Sequence, residues 1–497
     1  MKKTTVKTVA SVTLITTLGF TGYLAANGAP PVAAAPNAAA VQKLDAQTHY
    51  SDEDLTWDSS DEKAIDLANP AAADGVNVNN GTITITADGT YRLSGEYNGQ
   101  VKIEAGKSDT VRLVLDNAKI TNSTGAAINV VSAAEAIIYT AAGTTNTVAD
   151  EANYTATGDD DPDAAIYSTA NLTLAGEGSL SVEGAYEEGI HTTGGLVIAS
   201  GTLEVNAANT GIKGKDYVDI TGGIVNVTAA QDGIKSTNTD DESMGFTRLS
   251  AGSVTVSAGD NGLKAPHTLE ISGGTLNIEK SNEGIEAQYI NILDGDVTVN
   301  STDDGINASL KDSSSDTSSD TTSGTATTGQ QTQQNQNGQV QQAPAGGGAA
   351  PGGSQGSTGQ NQNMPQPPTD GAMPGGGGGT FEVVDAAINI SGGTVTVNAE
   401  GDGIDSNGTA TFSGGTVTVN GPVAGGNNAL DSNGDLLLNG GTVTTGSTAD
   451  MFEAPSSAST SGYLKITDSS ALTQGSTVQV TDSSGTVVAN YKITTSG

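Results

Sequence analysis

The chain has 497 residues, no cysteine, and 19 basic against 56 acidic residues, for a formal net charge of −37. That composition excludes a disulfide framework, cysteine metal sites and cysteine nucleophiles, and its acidity opposes nucleic acid and anionic membranes as partners while favouring cations. Glycine accounts for 67 residues, aromatics for 4%, and Trp57 is the single tryptophan, which suits a turn-rich all-β fold with a thin aliphatic core rather than an average globular enzyme.

At the N-terminus, Lys2, Lys3 and Lys7 precede an uncharged, moderately apolar run from Thr8 to Ala26, and small-residue cleavage sites such as Ala33-Ala34-Ala35 come after it. Residues 1–35 therefore read as a secretory signal peptide. A membrane anchor is the alternative, and the many threonines and two glycines of the run count against it. The stretch "LAANG" at 24–28 resembles a lipoprotein cleavage box, but Asn27 stands where the lipidated cysteine would be, so lipid anchoring of that kind is not expected. The expectation is a secreted or cell-surface protein, monomeric, with no membrane insertion once the leader is removed.

Residues 36–75 are acidic and polar and read as a linker. Residues 76–120 carry strand pairs, "GTITITADGTYRLSG" and "TVRLVLDNAKI", that start or cap a helix of β-strands. Beyond them, repeats dominate the chain. A Gly-Ile or Gly-Leu pair occurs at Gly189, Gly211, Gly233, Gly262, Gly284, Gly305 and Gly403, with steps of 22, 22, 29, 22, 21 and 98 residues. Degenerate copies stand at Ala127-Ile128, Ala165-Ile166 and Ala429-Leu430. Within each period a short apolar strand leads to a Gly-Gly turn, then an alternating strand, then an acidic turn. "ITGGIVNVT", "ISGGTLNIE", "ISGGTVTVN", "FSGGTVTVN" and "LNGGTVTTG" align without adjustment. Short β-branched alternating runs bounded by glycine, asparagine and aspartate are strands between turns. Three such strands in a period near 22 make one coil of a parallel β-helix, whose inner face is buried only by stacking. The crossover rule makes it right-handed.

The step of 98 contains residues 311–380, rich in Ser, Thr, Gln, Asn, Gly and Pro. Such a segment has too little apolar surface to offset its ordering entropy. Removing the excess restores a period of 22, so the segment reads as a disordered insertion extruded from one turn rather than a linker between domains. The helix is therefore expected over 76–310 and again over 381–455. Residues 456–497 read as a C-terminal hairpin cap that covers the open edge.

The acidic turns carry the candidate site. Glu283, Asp304 and Asp402 stand just before the Gly-Ile pair in three consecutive coils; Glu286, Asn307 and Asp405 stand just after it. Asp303 adds a further acid, and Asp431 continues the after-pair column. Equivalent turns stack about 4.8 Å apart, so a carboxylate column is unfavourable unless raised pKa values, interleaved lysines or a cation relieve it. Calcium, with six to eight oxygen ligands at about 2.3–2.6 Å, fits between neighbouring coils; magnesium is stricter, and zinc or copper lacks its usual ligands here. Asp, Asn and Gly are also ordinary turn residues, so the signal is the column and not the single motif. Two further groups, Asp159, Asp160, Asp161 and Asp163, and Asp240, Asp241 and Glu242, are solvated loops by default and metal sites by exception. Upstream, Lys213, Lys235 and Lys264 take the after-pair position. They serve either as charge balance between coils or as a grip for a saccharide carboxylate.

The coils "DDGIN", "EGIEA", "DGIDS" and "SGGTVTV", with the Gly/Gln/Pro-rich insertion, resemble a bacterial family of secreted carbohydrate-binding β-helix proteins related in fold to calcium-dependent pectate lyases. The resemblance spans roughly residues 75–460 apart from the insertion. It implies calcium sites at the acids named above and binding of plant-type or acidic polysaccharide. Three functions are compatible with it. The first is calcium-dependent polysaccharide binding without catalysis. The second is a polysaccharide lyase with Lys235 or Lys264 as base. The third is an adhesin in which calcium only stiffens the coils.

Overall fold

The computed structural model describes residues 49–154, 161–310, 382–422, 425–448, 452–465, 475–481 and 484–492, with Leu44 and Gly158. The expected signal peptide and the 311–380 insertion lie outside the described residues. Among the described residues there is no helix. Strands assemble into a 21-stranded sheet, a 13-stranded sheet and a two-stranded hairpin.

The solenoid has three ladders of parallel strands. The first contains Gly195–Ile198, Tyr217–Ile220, Phe246–Leu249, Thr268–Ile271, Tyr289–Ile292 and Ala387–Ile390. The second contains Thr202–Ala207, Ile224–Ala229, Ser253–Ser257, Thr275–Ser281, Asp296–Ser301 and Thr394–Ala399. These two merge into one sheet because Thr110–Asn122, Thr409–Asn420 and Leu436–Gly446 run through both. The third ladder is the Gly-Ile strands, Glu188–Thr192 through Leu430–Ser432.

The repeat read from the sequence is the register of that third ladder. Ile128, Ile166, Ile190, Ile212, Ile234, Leu263, Ile285, Ile306, Ile404 and Leu430 pair in succession. The degenerate copies fall in line with the rest, and all but Leu430 are 0–1% exposed. Each such side chain contributes roughly 1.5–3 kcal/mol by burial. After the insertion the coil resumes in phase, with Ile306 opposite Ile404 and Val299 opposite Val397.

From Gly189 to Gly403 a glycine precedes the ladder's isoleucine or leucine because two groups approach it closely; the end rungs carry Ala127, Ala165 and Ala429 there. A Cβ on Gly305 would meet Gly403 O at 2.5 Å and collide with Val397 Cγ1, and the equivalent valine and carbonyl of the next coil crowd Gly211, Gly233 and Gly403. The Gly-Gly corner has a different cause. Its second glycine has positive φ, 75° at Gly274 and 73° at Gly393, turning the chain from the first ladder into the second.

Two terminal regions add to the expected coils. Glu62–Asp66 pairs in parallel with Gly89–Asn98, so a strand lies within the residues expected to be linker. Its sequence, EKAID, offers too little alternation to announce a strand. Residues 49–54 also lie against the first ladder: Tyr50, with Leu44, packs on Val197, Tyr217 and Phe246. At the other end Thr477–Thr481 and Val487–Lys492 form an antiparallel hairpin, and the buried Tyr491 hydroxyl donates to Asn420 Oδ1 at 2.8 Å.

Gly305→Ala, which inserts one methyl group into this contact, is expected to cost about 1–3 kcal/mol. Denaturant unfolding would show it as a lower midpoint at unchanged slope, and an unchanged midpoint would refute the close-approach account.

Candidate functional site

The third ladder turns one outward position per coil into a continuous column. His191, Lys213, Lys235, Lys264, Glu286, Asn307, Asp405 and Asp431 are register partners in that order. A second column, just before the glycines, runs beside it. There Gly284 N donates to Asp304 O at 3.0 Å, Gly305 N to Asp402 O at 2.8 Å, and Gly403 N to Asn428 O at 2.9 Å. The two adjacent acid columns expected from the sequence are therefore realised in register.

In the upstream half the columns neutralise each other. Lys213 Nζ lies 3.2 Å from Glu188 Oε1 and 3.6 Å from Asp163 Oδ2. Lys235 Nζ lies 2.9 Å from Asp232, and Lys264 Nζ 3.0 Å from Glu286. Lys213 and Lys264 act as counter-ions between coils, and Lys235 within its own coil. With both nitrogens donating to carboxylates, Lys235 and Lys264 are not placed as free bases.

In the downstream half there is no lysine in the columns. Burial, with Glu286 and Asp304 nearby, raises Glu283 to about 7. Burial and the neighbouring aspartates raise Asp402 to about 6 and Asp405 to about 7, and burial also raises Asp304. Asp402 N donates to Asp304 Oδ1 at 2.7 Å, and Asn428 N donates to the Asp402 carboxylate. Asp303 is exposed at the rim. Glu283 Oε2 and Asn307 Oδ1 are buried and have no hydrogen-bond partner among the described residues. An all-oxygen set with two buried acceptors lacking partners among the described residues could hold a hard cation.

One member of this run was not legible in the sequence. Glu453 arrives from beyond the last coil, accepts a hydrogen bond from Ser432 N at 2.7 Å, and is raised to about 8 by burial, with Asp431 adding to the shift. Nothing in its own segment, "MFEAP", signals the contact.

The acids of the column do not converge as a tight ligand triplet. Among the described residues, one His/Asp/Glu group does: Asp163, Glu188 and His191 place ligand atoms within 4.8 Å of one another. Asp163 precedes the strand Ala164–Ser168, and the pairing of Ala164 with Glu188 brings it alongside Glu188–Thr192. His191 Nδ1 lies 2.5 Å from Asp163 Oδ1, and Tyr167 packs edge-on at 5.2 Å. Burial opposes ionised Asp163, but the His191 hydrogen bond and Lys213 outweigh it and hold its carboxyl low. Burial, with Asp163 adding, raises Glu188 to about 8 against the pull of Lys213. Burial, Lys213 and Lys235 lower His191. This buried group can hold a metal, in competition with the Lys213 ammonium already there. Asp163 stands out in the sequence as one of an acidic group; His191 does not, although it follows a Gly-Ile pair as Lys213 does.

The remaining acidic groups make local turns. Asp161 accepts from Gly158 N at 2.7 Å, and Asp241 accepts from Ser243 N and Oγ at 2.9 and 2.7 Å. Asp159 and Asp160 lie outside the described residues.

A parallel β-solenoid with an acidic ladder defines the class, and comparison with known proteins defines the family. The family model described as "Carbohydrate-binding domain-containing protein" matches residues 79–341, and the chain belongs to that family. A carbohydrate-binding domain-containing protein of Acetivibrio thermocellus is 36% identical over 145 residues, 29% of this chain and 51% of the relative. The chain thus spans about half the length of that curated relative. The solved structure of a polysaccharide lyase-like protein from C. thermocellum, a gadolinium derivative, is 30% identical, covering 48% of this chain and 99% of that one, with a TM-score of 0.42.

Two outcomes test the electrostatics. Lys213→Met removes the counter-ion of Glu188 and Asp163 and is expected to cost roughly 3 kcal/mol; Glu188→Gln in the same chain should recover part of it. An unchanged Tm in the single variant would show that the pair carries no stability. The second outcome concerns pH. Glu188, Glu283, Asp402, Asp405 and Glu453 all have folded values above the ordinary carboxylate range. Each contributes stability that is complete below its unfolded value and lost as pH rises through its folded value. In chelator, Tm should therefore fall between about pH 5 and pH 8, and a Tm that rises over this window contradicts the assignment.

Proposed function

We propose that the chain is a secreted, calcium-dependent carbohydrate-binding protein that recognises acidic, pectin-like or plant cell-wall polysaccharide without catalysis. Membership of the carbohydrate-binding family supports a polysaccharide ligand. The observation that carries calcium is the lysine-free run of carboxylates from Glu283 to Asp431 with the orphaned oxygens of Glu283 and Asn307. Glu283, Asp304, Asn307, Asp402, Asp405 and Asp431 would hold calcium, with Glu286 and Asp303 at the margins. Bound calcium supplies positive charge to a surface that otherwise repels polyuronate. The chain's own acids fix where that charge sits, and their backbone bonds to the next coil keep the oxygens from moving apart. Engagement of Lys235 and Lys264 by carboxylates supports binding over elimination. The N-terminal lysines and apolar run support export.

The test is retention on immobilised polygalacturonate, with calcium or with chelator. Retention should require calcium, and Asp402→Asn with Asp405→Asn should abolish it. Calcium at a hundredfold excess over Kd should stabilise the parent by about 2.7 kcal/mol and the double variant far less. Retention that survives chelation sinks the calcium bridge. Calcium-dependent melting without retention on any glycan would instead favour the structural role.

A further inference from the structure

The outer face of the first ladder carries a feature that the acid column does not involve. Residues 49–54 cross this face as a strap fastened at two ends. His49 Nδ1 lies 3.0 Å from Asp219 Oδ2, with its ring 4.3 Å from that of Tyr217. At the other end Arg112 Nη2 donates to the Glu53 carbonyl at 2.7 Å. Between the fastenings lies an open cavity of about 760 Å³, walled by Asp88, Arg112, Glu135, Asn171 and Tyr217 from the coils and Tyr50 from the strap. Small-molecule sites commonly span about 300–1,000 Å³.

The wall is polar and its groups are held in place. Thr173 Oγ1 donates to Glu135 Oε1 at 2.8 Å, and Asn171 Oδ1 accepts from Gly195 N at 3.0 Å, which leaves the Asn171 NH₂ to donate elsewhere. Arg112 Nη1 donates to Thr90 Oγ1 at 3.4 Å, while Arg112 Nε is buried with no partner among the described residues. Fixed donors and acceptors match a ligand rich in hydroxyls; the Tyr217 ring lies between His49 and Phe246 and contributes the floor of the wall rather than a free stacking face. Glu53, Asp54, Asp88 and Glu135 outnumber Arg112 and His49 around the cavity, which disfavours a polyuronate.

We propose that this cavity binds a neutral oligosaccharide, independently of calcium. Every wall residue contributed by the coils falls within the segment matched by the carbohydrate-binding family, residues 79–341. The inference rests on that carbohydrate-binding character and not on the acid column. It gives the molecule two chemically distinct saccharide surfaces: one on the third ladder for polyanions with calcium, one under the strap for neutral sugars.

The experiment is calorimetric titration of the purified protein in chelator with cello-, xylo- and malto-oligosaccharides and with oligogalacturonate. At least one neutral series should saturate, and oligogalacturonate should not. Glu135→Gln and Asn171→Ala should each weaken that binding about tenfold. The same variants should keep the parent's calcium-dependent retention on polygalacturonate, which shows that they are folded. The proposal is overturned if no neutral series saturates, or if both variants bind like the parent. Loss of polygalacturonate retention in the parent, with chelator-resistant neutral binding intact, would overturn the calcium reading and leave this one standing.

Discussion

Stacking at one strand spacing is the constraint on which the rest of the molecule depends. A coil of about 22 residues cannot bury its inner face alone, so each must sit about 4.8 Å from the next with side chains in register. Inside, that register is favourable, since isoleucine on isoleucine builds a continuous core. It also dictates glycine before the isoleucine in the rungs from Gly189 to Gly403, where the next coil's carbonyl leaves no room for Cβ. Outside, the same register multiplies whatever charge a coil carries. One acidic turn is innocuous; the same turn in successive coils is a column of like charges.

The third ladder shows three ways to relieve such a column. From Glu188 to Glu286 the relief is built into the chain: Lys213, Lys235 and Lys264 occupy the outward position and pair with acids. In the triplet Asp163, Glu188 and His191, protons share the work, with Glu188 raised and Asp163 held low. From Glu283 onward no lysine remains in the columns, and the carboxylates rise toward neutrality unless a cation enters. The ladder thus runs from lysine-compensated to lysine-free acids, and the proposed calcium sites are drawn from the lysine-free part.

The strap over the first ladder obeys a different logic. It is held by contacts across large sequence distances: His49 to Asp219 and Tyr217, Tyr50 to the cluster of Val197, Tyr217 and Phe246, and Glu53 to Arg112. Such contacts carry no period. Nothing in "THYSDED" distinguishes a strap from a solvated linker until the aromatic pair Tyr217 and Phe246, whose rings stack at 5.2 Å, is seen to need a cover. Glu453 is the same case at the other end, a carboxylate delivered to the last rung by a segment outside the repeat.

The repeating part of the molecule was determined by its sequence. The fold, the phase of the coils across the insertion and the identity of the two acid columns are set by spacing, because in a solenoid the neighbour in space is the residue one period away. Tertiary structure alone decided which charges are compensated and by what. Lys264 meets Glu286 rather than solvent, Glu188 is buried beside Lys213, and Arg112 and Glu135 line an open cavity together with residues of the 49–54 segment. The physical reason is that register fixes which backbones are adjacent. The direction, burial and partner of an ionised side chain depend on packing from elements that lie outside the period.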